Sequence, residues 1–355
     1  MEIGNHKIWQ VAAGDTNRNY ADVCLEWDVI LNGPGSKEKW PECRDAVAKY
    51  CSPRKLTDIK RFAEDIIDGD IIVLRLGTTD VLGVGVAVGN YQWNEEFGDI
   101  DGWDLQHIRR VRWIWKYNDI GQKGTQPKFD VYSLKLGDTT QKMDSQPVID
   151  WITALPVSAQ MLRRDIMTLP KYSHDIAIND ISEHLFDKGV AAGSIASVTG
   201  EIDELVRIAE WYQRKDIRPS EAETIAYLVI PLLRGLGWTP QKMAVEWNRV
   251  DVALFKTLPR GNEKLSVVVE AKPKDSSCLN ATSQALYYAQ QPGRDICNRL
   301  IVTDGIRYGV YAKVDGEFLE HPDAYLNITR MREAYPILKC CGAKEAFLYM
   351  SSDWN

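Results

Sequence analysis

The run from Val250 to Tyr288 constrains the fold of this 355-residue chain more than any other. Val-Asp251-Val-Ala-Leu-Phe and Val-Val-Val-Glu270-Ala-Lys272 are apolar, β-branched runs separated by a Pro-Arg-Gly-Asn turn, which is the pattern of a hairpin. The second run stops abruptly in an acid and a base. Side chains alternate across a strand, so Glu270 and Lys272 share one face and Ala271 takes the other. Asp251, on the paired strand, can stand opposite them, and two carboxylates and an ammonium then converge. Hard oxygen ligands of this kind suit Mg²⁺ (or Mn²⁺), which is held by one or two carboxylates plus water and substrate phosphate. The lysine can orient or deprotonate the attacking water, or stabilise charge developing on the phosphate. The residues therefore spell a metal-dependent nuclease site.

The surrounding sequence sets that hairpin in an α/β core. Ser220 and Glu223 form a capping box before a helix that runs to Gly235 or Gly237 and is expected to kink at Pro231. After the two strands come a helix through Gln284 and a second hairpin, Leu300 to Thr303 turning at Asp304-Gly305 into Tyr308 to Tyr311. Upstream, Ile8 to Trp115 is β-rich. Lys7 to Ala12, Asp28 to Leu31, Ile71 to Leu76, Val81 to Val88 and Arg110 to Trp115 read as strands. A turn spans Gly14 to Asn19, and a helix over Leu56 to Ile67 is capped by Thr57 and Asp58. These elements predict a small, partly closed β-barrel with helices. Between them, Gln146 to Gln213 shows helical spacing broken by Pro156, Pro170 and Gly189 to Gly193. The expected division is 1–150, a helical connector 151–215, an α/β domain 216–330 and a tail 331–355.

Composition excludes several classes. No run of eighteen apolar residues occurs and the first residues lack the apolar core of a signal peptide, so a cytoplasmic protein with no membrane partner is expected. Seven cysteines without a Cys-x-x-Cys pair support neither a disulfide framework nor a zinc ribbon. A net charge of −7 argues against indiscriminate coating of nucleic acid. Local basic patches remain at Arg54-Lys55 with Lys60-Arg61, at Arg109-Arg110-Val-Arg112 and at Arg163-Arg164.

Glu221-Ala-Glu-Thr, Leu-Gly-Trp238, Asp251, Glu270-Ala-Lys272, Gln284-x-x-x-Tyr288 and Thr303-Asp-Gly305, in this order, resemble the PD-(D/E)XK nuclease superfamily and, within it, the N-terminal nuclease domain of type I restriction motor subunits. The resemblance covers about residues 216 to 320. It implies that Asp251 and Glu270 bind the metal and that Lys272 positions the water. It further implies that Glu221 is the upstream helical acid, Glu223 being the alternative that only caps, and that Gln284 and Tyr288 approach DNA or the active site from one helix face. No Gly-x-x-x-x-Gly-Lys-Ser/Thr occurs, so neither ATP use nor translocation is expected.

The first half is rich in aromatic residues beside turns rather than at a core period: Tyr20, Trp27, Trp40, Tyr91, Trp93, Trp103, Trp113 and Trp115. Aromatic rings at the mouth of a small barrel can sandwich a base taken out of its stack. With Gly33-Pro-Gly35, Gly69-Asp70, Val-Gly-Val-Gly85 and the run Gly102 to Trp113, residues 5 to 150 resemble the EVE branch of the PUA-like fold, relatives of YTH readers. That implies a cage for a modified nucleobase, with Tyr20, Trp27, Trp93 and Trp103 as candidate walls and Asp22 and Asp104 as partners for a base edge. Core packing competes for each ring, and two or three of the four are expected to survive. Arg110 and Arg112 share a strand face and are the candidate phosphate contacts; His107 is either such a contact or a structural histidine.

Together these expectations describe a phage-defence restriction endonuclease that reads a modified base, of methylated type, in double-stranded DNA and hydrolyses phosphodiesters with Mg²⁺. The alternatives are a nucleic-acid reader with a non-catalytic nuclease fold and an RNA-directed nuclease. A double-strand break needs two active sites or two nicks, so a homodimer is expected, with the central helices as its interface.

Overall fold

A computed structural model describes residues 4–14, 19–35, 38–119, 126–215 and 217–354. Of the turn expected between Gly14 and Asn19, residues 15–18 lie outside this set. The chain is mixed α/β and forms two compact units, 1–170 and 171–355. Among the described residues no helix is long and apolar enough to cross a membrane.

The first unit is built on a curled, six-stranded half-barrel sheet. Its strands are β1 (Ile8–Ala12), β2 (Val29–Asn32), β3 (Ile71–Leu76), β4 (Asp80–Trp93), β5 (His107–Lys116) and β6 (Thr140–Lys142), in the order β2-β5-β4-β3-β1-β6. β1 and β3 run parallel because α1 (Ala21–Glu26), α2 (Arg44–Tyr50) and α3 (Pro53–Lys60) make the crossover between them; the other pairs are antiparallel. β4 carries register shifts after Val84 and Val88, and such bulges bend and twist a long strand. Gly85 lies at the first bend, where a Cβ would stand 2.7 Å from the Arg112 carbonyl oxygen and collide with Val111. Ile8, Val73, Val81, Val84 and Trp115 fill one side with Val148 and Ile152 of α4 (Gln146–Ala154).

The two edge strands are joined by side chains instead of a ladder. Asp58 of α3 is 1% exposed and accepts from the Thr140 amide at 2.8 Å, while the Asn32 amide group reaches Asp58 and the Thr140 hydroxyl, each at 3.4 Å. Lys55 Nζ bridges Asn32 Oδ1 at 2.7 Å and Asp58 at 2.8 Å. The cap expected at Thr57 and Asp58 is therefore displaced: Ser52 caps the helix with Pro53 at its first position, and Asp58 turns inward to close the sheet.

The second unit is a nine-stranded sheet covered on both faces. Its strands are β7 (Met243–Trp247), β8 (Val250–Phe255), β9 (Leu265–Ala271), β10 (Arg299–Thr303), β11 (Arg307–Val314), β12 (Glu317–Phe318), β13 (Ala324–Asn327), β14 (Ala334–Tyr335) and β15 (Cys340–Cys341). β8 and β9 pair antiparallel, with Val252 against Val269, and β10 follows β9 in parallel. Val252, Leu254, Val267, Val269 and Ile301 point to one core, Ala253, Phe255, Val268, Leu300 and Val302 to the other. Burial on both faces explains why the middle of β9, Val267 to Val269, reads as an apolar run without alternation.

The segments expected as connector and tail are divided or folded in. α5 (Ala159–Arg163) stays with the first unit, where Arg164 and the Met167 amide bond the Asp28 carboxylate at 2.6 and 2.8 Å. α6 (Ile178–Asp187) and α7 (Ala192–Lys215) pack on the sheet of the second unit, together with α11 (Ala343–Met350), whose Phe347 is fully buried. The helix begun by the Ser220–Glu223 capping box runs as α8 (Glu221–Thr224), a π turn over 225–229 and α9 (Ile230–Gly235). Pro231 has no N–H and crowds the carbonyl four residues back, so the expected kink takes the form of a widened turn before it.

Candidate active site

The end of the sheet where β8 begins and β9 ends gathers the acids. Continuing the Val252–Val269 register by one step puts Asp251 opposite Glu270. The Ala271 amide donates to Asp251 Oδ2 at 2.7 Å, and the Asp251 amide points at Glu270 Oε1 at 3.4 Å. Glu270 is fully buried on the face shared with Val268, and among the described residues its Oε2 has no hydrogen-bond partner. Burial, reinforced by the adjacent Asp251 charge, pushes its carboxyl up to about 8. Asp251 is raised too, first by burial. The geometry thus favours one shared proton on this pair unless a cation replaces it.

Lys272 follows β9 directly, its amide bonded to the Thr303 carbonyl at 2.8 Å. Its Nζ donates to Gln284 Oε1 at 3.2 Å, from α10 (Thr282–Ala289). Glu221 enters from the first turn of α8: burial raises its carboxyl, the Asp251 charge adds to that, and Lys272 opposes it. Glu223 instead closes the capping box, accepting from the Ser220 amide at 2.8 Å. Tyr288, one turn beyond Gln284, is half-buried among the side chains beneath α10 and donates nothing to this cluster that the geometry records.

The Thr303-Asp-Gly305 turn has a role that its residues did not disclose. Gly305 has φ +82, and a Cβ there would lie 2.7 Å from Thr224 and 2.8 Å from Leu228. Only glycine lets the β10–β11 turn dock against the helix that carries Glu221. Beside it, Asp304 is 1% exposed, bonded by the Ile306 and Arg307 amides at 3.0 and 2.7 Å, and pushed up to about 6 by burial. Arg307 bridges Asp304 at 3.1 Å and Asp275 at 3.4 Å, and the buried Lys274 also pairs with Asp275. Asp304-Gly305 stood out only as a turn and as part of the resemblance; this second charged cluster was missed because Lys274, Asp275 and Arg307 join Asp304 only in the fold. The Pro-Lys-Asp following Lys272 was its available signal.

In the first unit the candidate cage residues differ in exposure. Tyr20 is 6% exposed, bonds the Ala12 carbonyl at 3.1 Å, and meets Trp103 edge-on at 5.5 Å. Trp27 is also buried, so neither Tyr20 nor Trp27 offers a ring face to a base. Trp93 Nε1 donates to the Gly35 carbonyl at 2.9 Å, and Asp104 accepts from the Gly35 amide at 3.1 Å. Trp93 and Asp104 are thus half-buried candidates that meet the 33–35 loop, and the half-buried Trp103 adjoins Asp104 in the chain, while Asp22 bonds Tyr117 at 3.0 Å and Asn118 at 3.3 Å at the end of β5.

Most of the basic candidates are committed to partners in their own unit, although Arg54, Lys60, Arg163 and Arg164 stay exposed. Arg110 is buried, and its guanidinium bonds the carbonyls of Trp27, Asp28 and Met167, so it is not a phosphate contact. Arg112 spends its Nε on the Arg164 carbonyl at 2.8 Å. Arg109 clamps Ala63 and Gly89, Arg54 and Arg61 pair with Asp138, and Arg164 pairs with Asp28. His107 is structural: it is fully buried between the Tyr91 hydroxyl at 2.7 Å and the Pro34 carbonyl at 3.0 Å, and burial lowers it to about 4.

Residues 9–131 match a domain family described as a domain of unknown function (DUF8426), a stretch that opens in β1 and ends beyond β5. No curated protein matches the chain.

Proposed function

We propose that this chain is a modification-dependent DNA endonuclease, with a PD-(D/E)XK-like site in the second unit and a modified-base pocket of EVE type in the first. The observation that carries the reading is the meeting of Asp251, Glu270, Lys272 and Gln284 at one strand end, with Glu221 in electrostatic reach. A strand-end ion pair alone has no use for a second, half-buried carboxylate beside the buried Glu270.

Among the described residues no group of three or more His, Cys, Asp or Glu forms a metal cage. A two-carboxylate site suits Mg²⁺ or Mn²⁺ nonetheless, because such ions keep several waters and take phosphate oxygens. The buried, unpartnered Glu270 Oε2 is an oxygen that such a ligand would satisfy. Asp251 and Glu270 would hold the ion, which when bound supplies positive charge to the phosphate and lowers the pKa of water. Glu270 must give up its proton to serve. Lys272, steadied by Gln284, holds its ammonium where it can orient water or meet charge on the phosphate. In the first unit, Trp93 and Trp103 supply aromatic surface and Asp104 an acceptor near the 33–35 loop, which supports a base pocket there.

Incubation with Mg²⁺ and matched plasmids, with and without modified bases, tests the proposal. Preferential cutting of the modified plasmid is expected; equal cutting of both, or of neither, rejects it. Glu270→Ala and Lys272→Ala should abolish cutting and spare DNA binding. Matched RNA and DNA oligonucleotides separate an RNA-directed nuclease from this reading.

A further inference from the structure

The sheet of the second unit has an opposite end, and it is built from cations. Arg299 opens β10 and is 3% exposed. Its guanidinium lies between two indoles, 5.6 Å from the ring centre of Trp238 and 5.0 Å from that of Trp354. One nitrogen, Nη1, bonds the carbonyls of Tyr349 and Ser351 at 2.7 and 2.9 Å, whereas Nε is buried with no acceptor among the described residues. The adjoining Asn298 likewise has a buried Oδ1 without a partner.

Both residues line a cavity of about 210 Å³, together with Lys242 and Lys256. Among the described residues no acid lines it and neither lysine has an ion-pair partner. A buried guanidinium without a carboxylate is costly unless something else compensates it. Burial lowers Arg299 to about 10, which still leaves it charged at neutral pH.

We propose that this cavity binds a phosphate-sized dianion, taken either as free orthophosphate or as the phosphate of a nucleoside monophosphate. Arg299 at the start of β10, Lys242 just before β7 and Lys256 just after β8 line one cavity, and three cations exceed what one carboxylate can neutralise, whereas a phosphate dianion offers oxygens to each. The volume equals that of about seven waters, enough for the anion and part of its hydration. The Asn298 carboxamide can turn an N–H toward it. The site is separate from the acids: Ser266 at this end and Glu270 at the other are about 13 Å apart along β9. It is independent of the nuclease reading.

The test is calorimetric titration of the full chain with orthophosphate and with adenosine monophosphate, at ionic strength held constant with chloride. Saturable binding is expected, weakened about tenfold or more in Lys242→Gln/Lys256→Gln and unchanged in Lys272→Ala. Melting of each variant without ligand checks its fold, and Arg299→Lys, which keeps the charge but loses the fork, should also weaken binding. Equal affinity for the two probes assigns recognition to the phosphate alone, and tighter monophosphate binding adds a nucleoside contact. Absence of saturable binding, binding indifferent to the lysine pair, or binding lost with Lys272 overturns the proposal.

Discussion

Glu270 sits where water does not reach and beside another acid, and its behaviour with pH follows from that position. Its folded-state pKa of about 8 lies above the 4.5 of an exposed glutamate, so folding favours the protonated form. The stability this gives is fully present below about pH 4.5, drains as pH rises, and is gone above about 8. Glu270→Gln cannot ionise and should match the wild type near the acid end yet exceed it at alkaline pH, by about 1–3 kcal/mol. Urea unfolding of both proteins across this window measures it, and a constant difference would refute the assignment. The same proton competes with a cation. Under the proposed function, cleavage at limiting Mg²⁺ should fall as pH drops below about 8 and recover when Mg²⁺ is raised, whereas a lysine-limited reaction would show no recovery. The meeting of Asp251, Glu270 and Lys272 was legible because alternation along one strand and its partner is local geometry. Tyr20, Trp27 and Arg110 were not, because only distant segments decide whether a ring or a guanidinium faces water.

Elements depend on single side chains that join them. α3 holds β2 and β6 together through Asp58, whose carboxylate serves Thr140, Asn32 and Lys55 at once. Asp58→Ala should cost about 2–4 kcal/mol, because it strands a buried amide and a half-buried ammonium. Denaturant titration checks it, and a loss below about 0.5 kcal/mol would show that the seam is held otherwise. In the second unit, Gly305→Ala forces a Cβ into Thr224 and Leu228 at φ +82. Strain alone costs about 1–2 kcal/mol, and relief of the clash must shift α8 and with it Glu221. The expected outcome is a lower melting temperature together with impaired cleavage. Strand positions, the capping box and the strain at Pro231 could be anticipated from spacing. The crossover that makes β1 and β3 parallel could not, since nothing in either strand names its partner.

The molecule as a whole comprises two units with separate cores, and the proposed activity assigns the cut to one and the choice of site to the other. Trp103→Ala should then lower discrimination between modified and unmodified plasmids while leaving Mg²⁺-dependent cutting in place; loss of all cutting with the fold intact would contradict that division. A double-strand break further requires two sites or two nicks, and sedimentation should show a homodimer at working concentration. Intact double-strand cutting by a monomer would contradict this. The order of residues alone determined the strands β8 and β9, the meeting of Asp251, Glu270 and Lys272, and the capped helix bearing Glu221, because each depends on backbone periodicity over a few residues. Tertiary structure decided how charge is used. It turned Arg54, Arg61, Arg109, Arg110 and Arg164 toward carbonyls and carboxylates of their own unit, and left the buried Nε of Arg299 without an acceptor among the described residues. Whether a cation is a surface patch, a clamp or a ligand site depends on which distant partner folding brings within about 3 Å of it, and no local pattern encodes that.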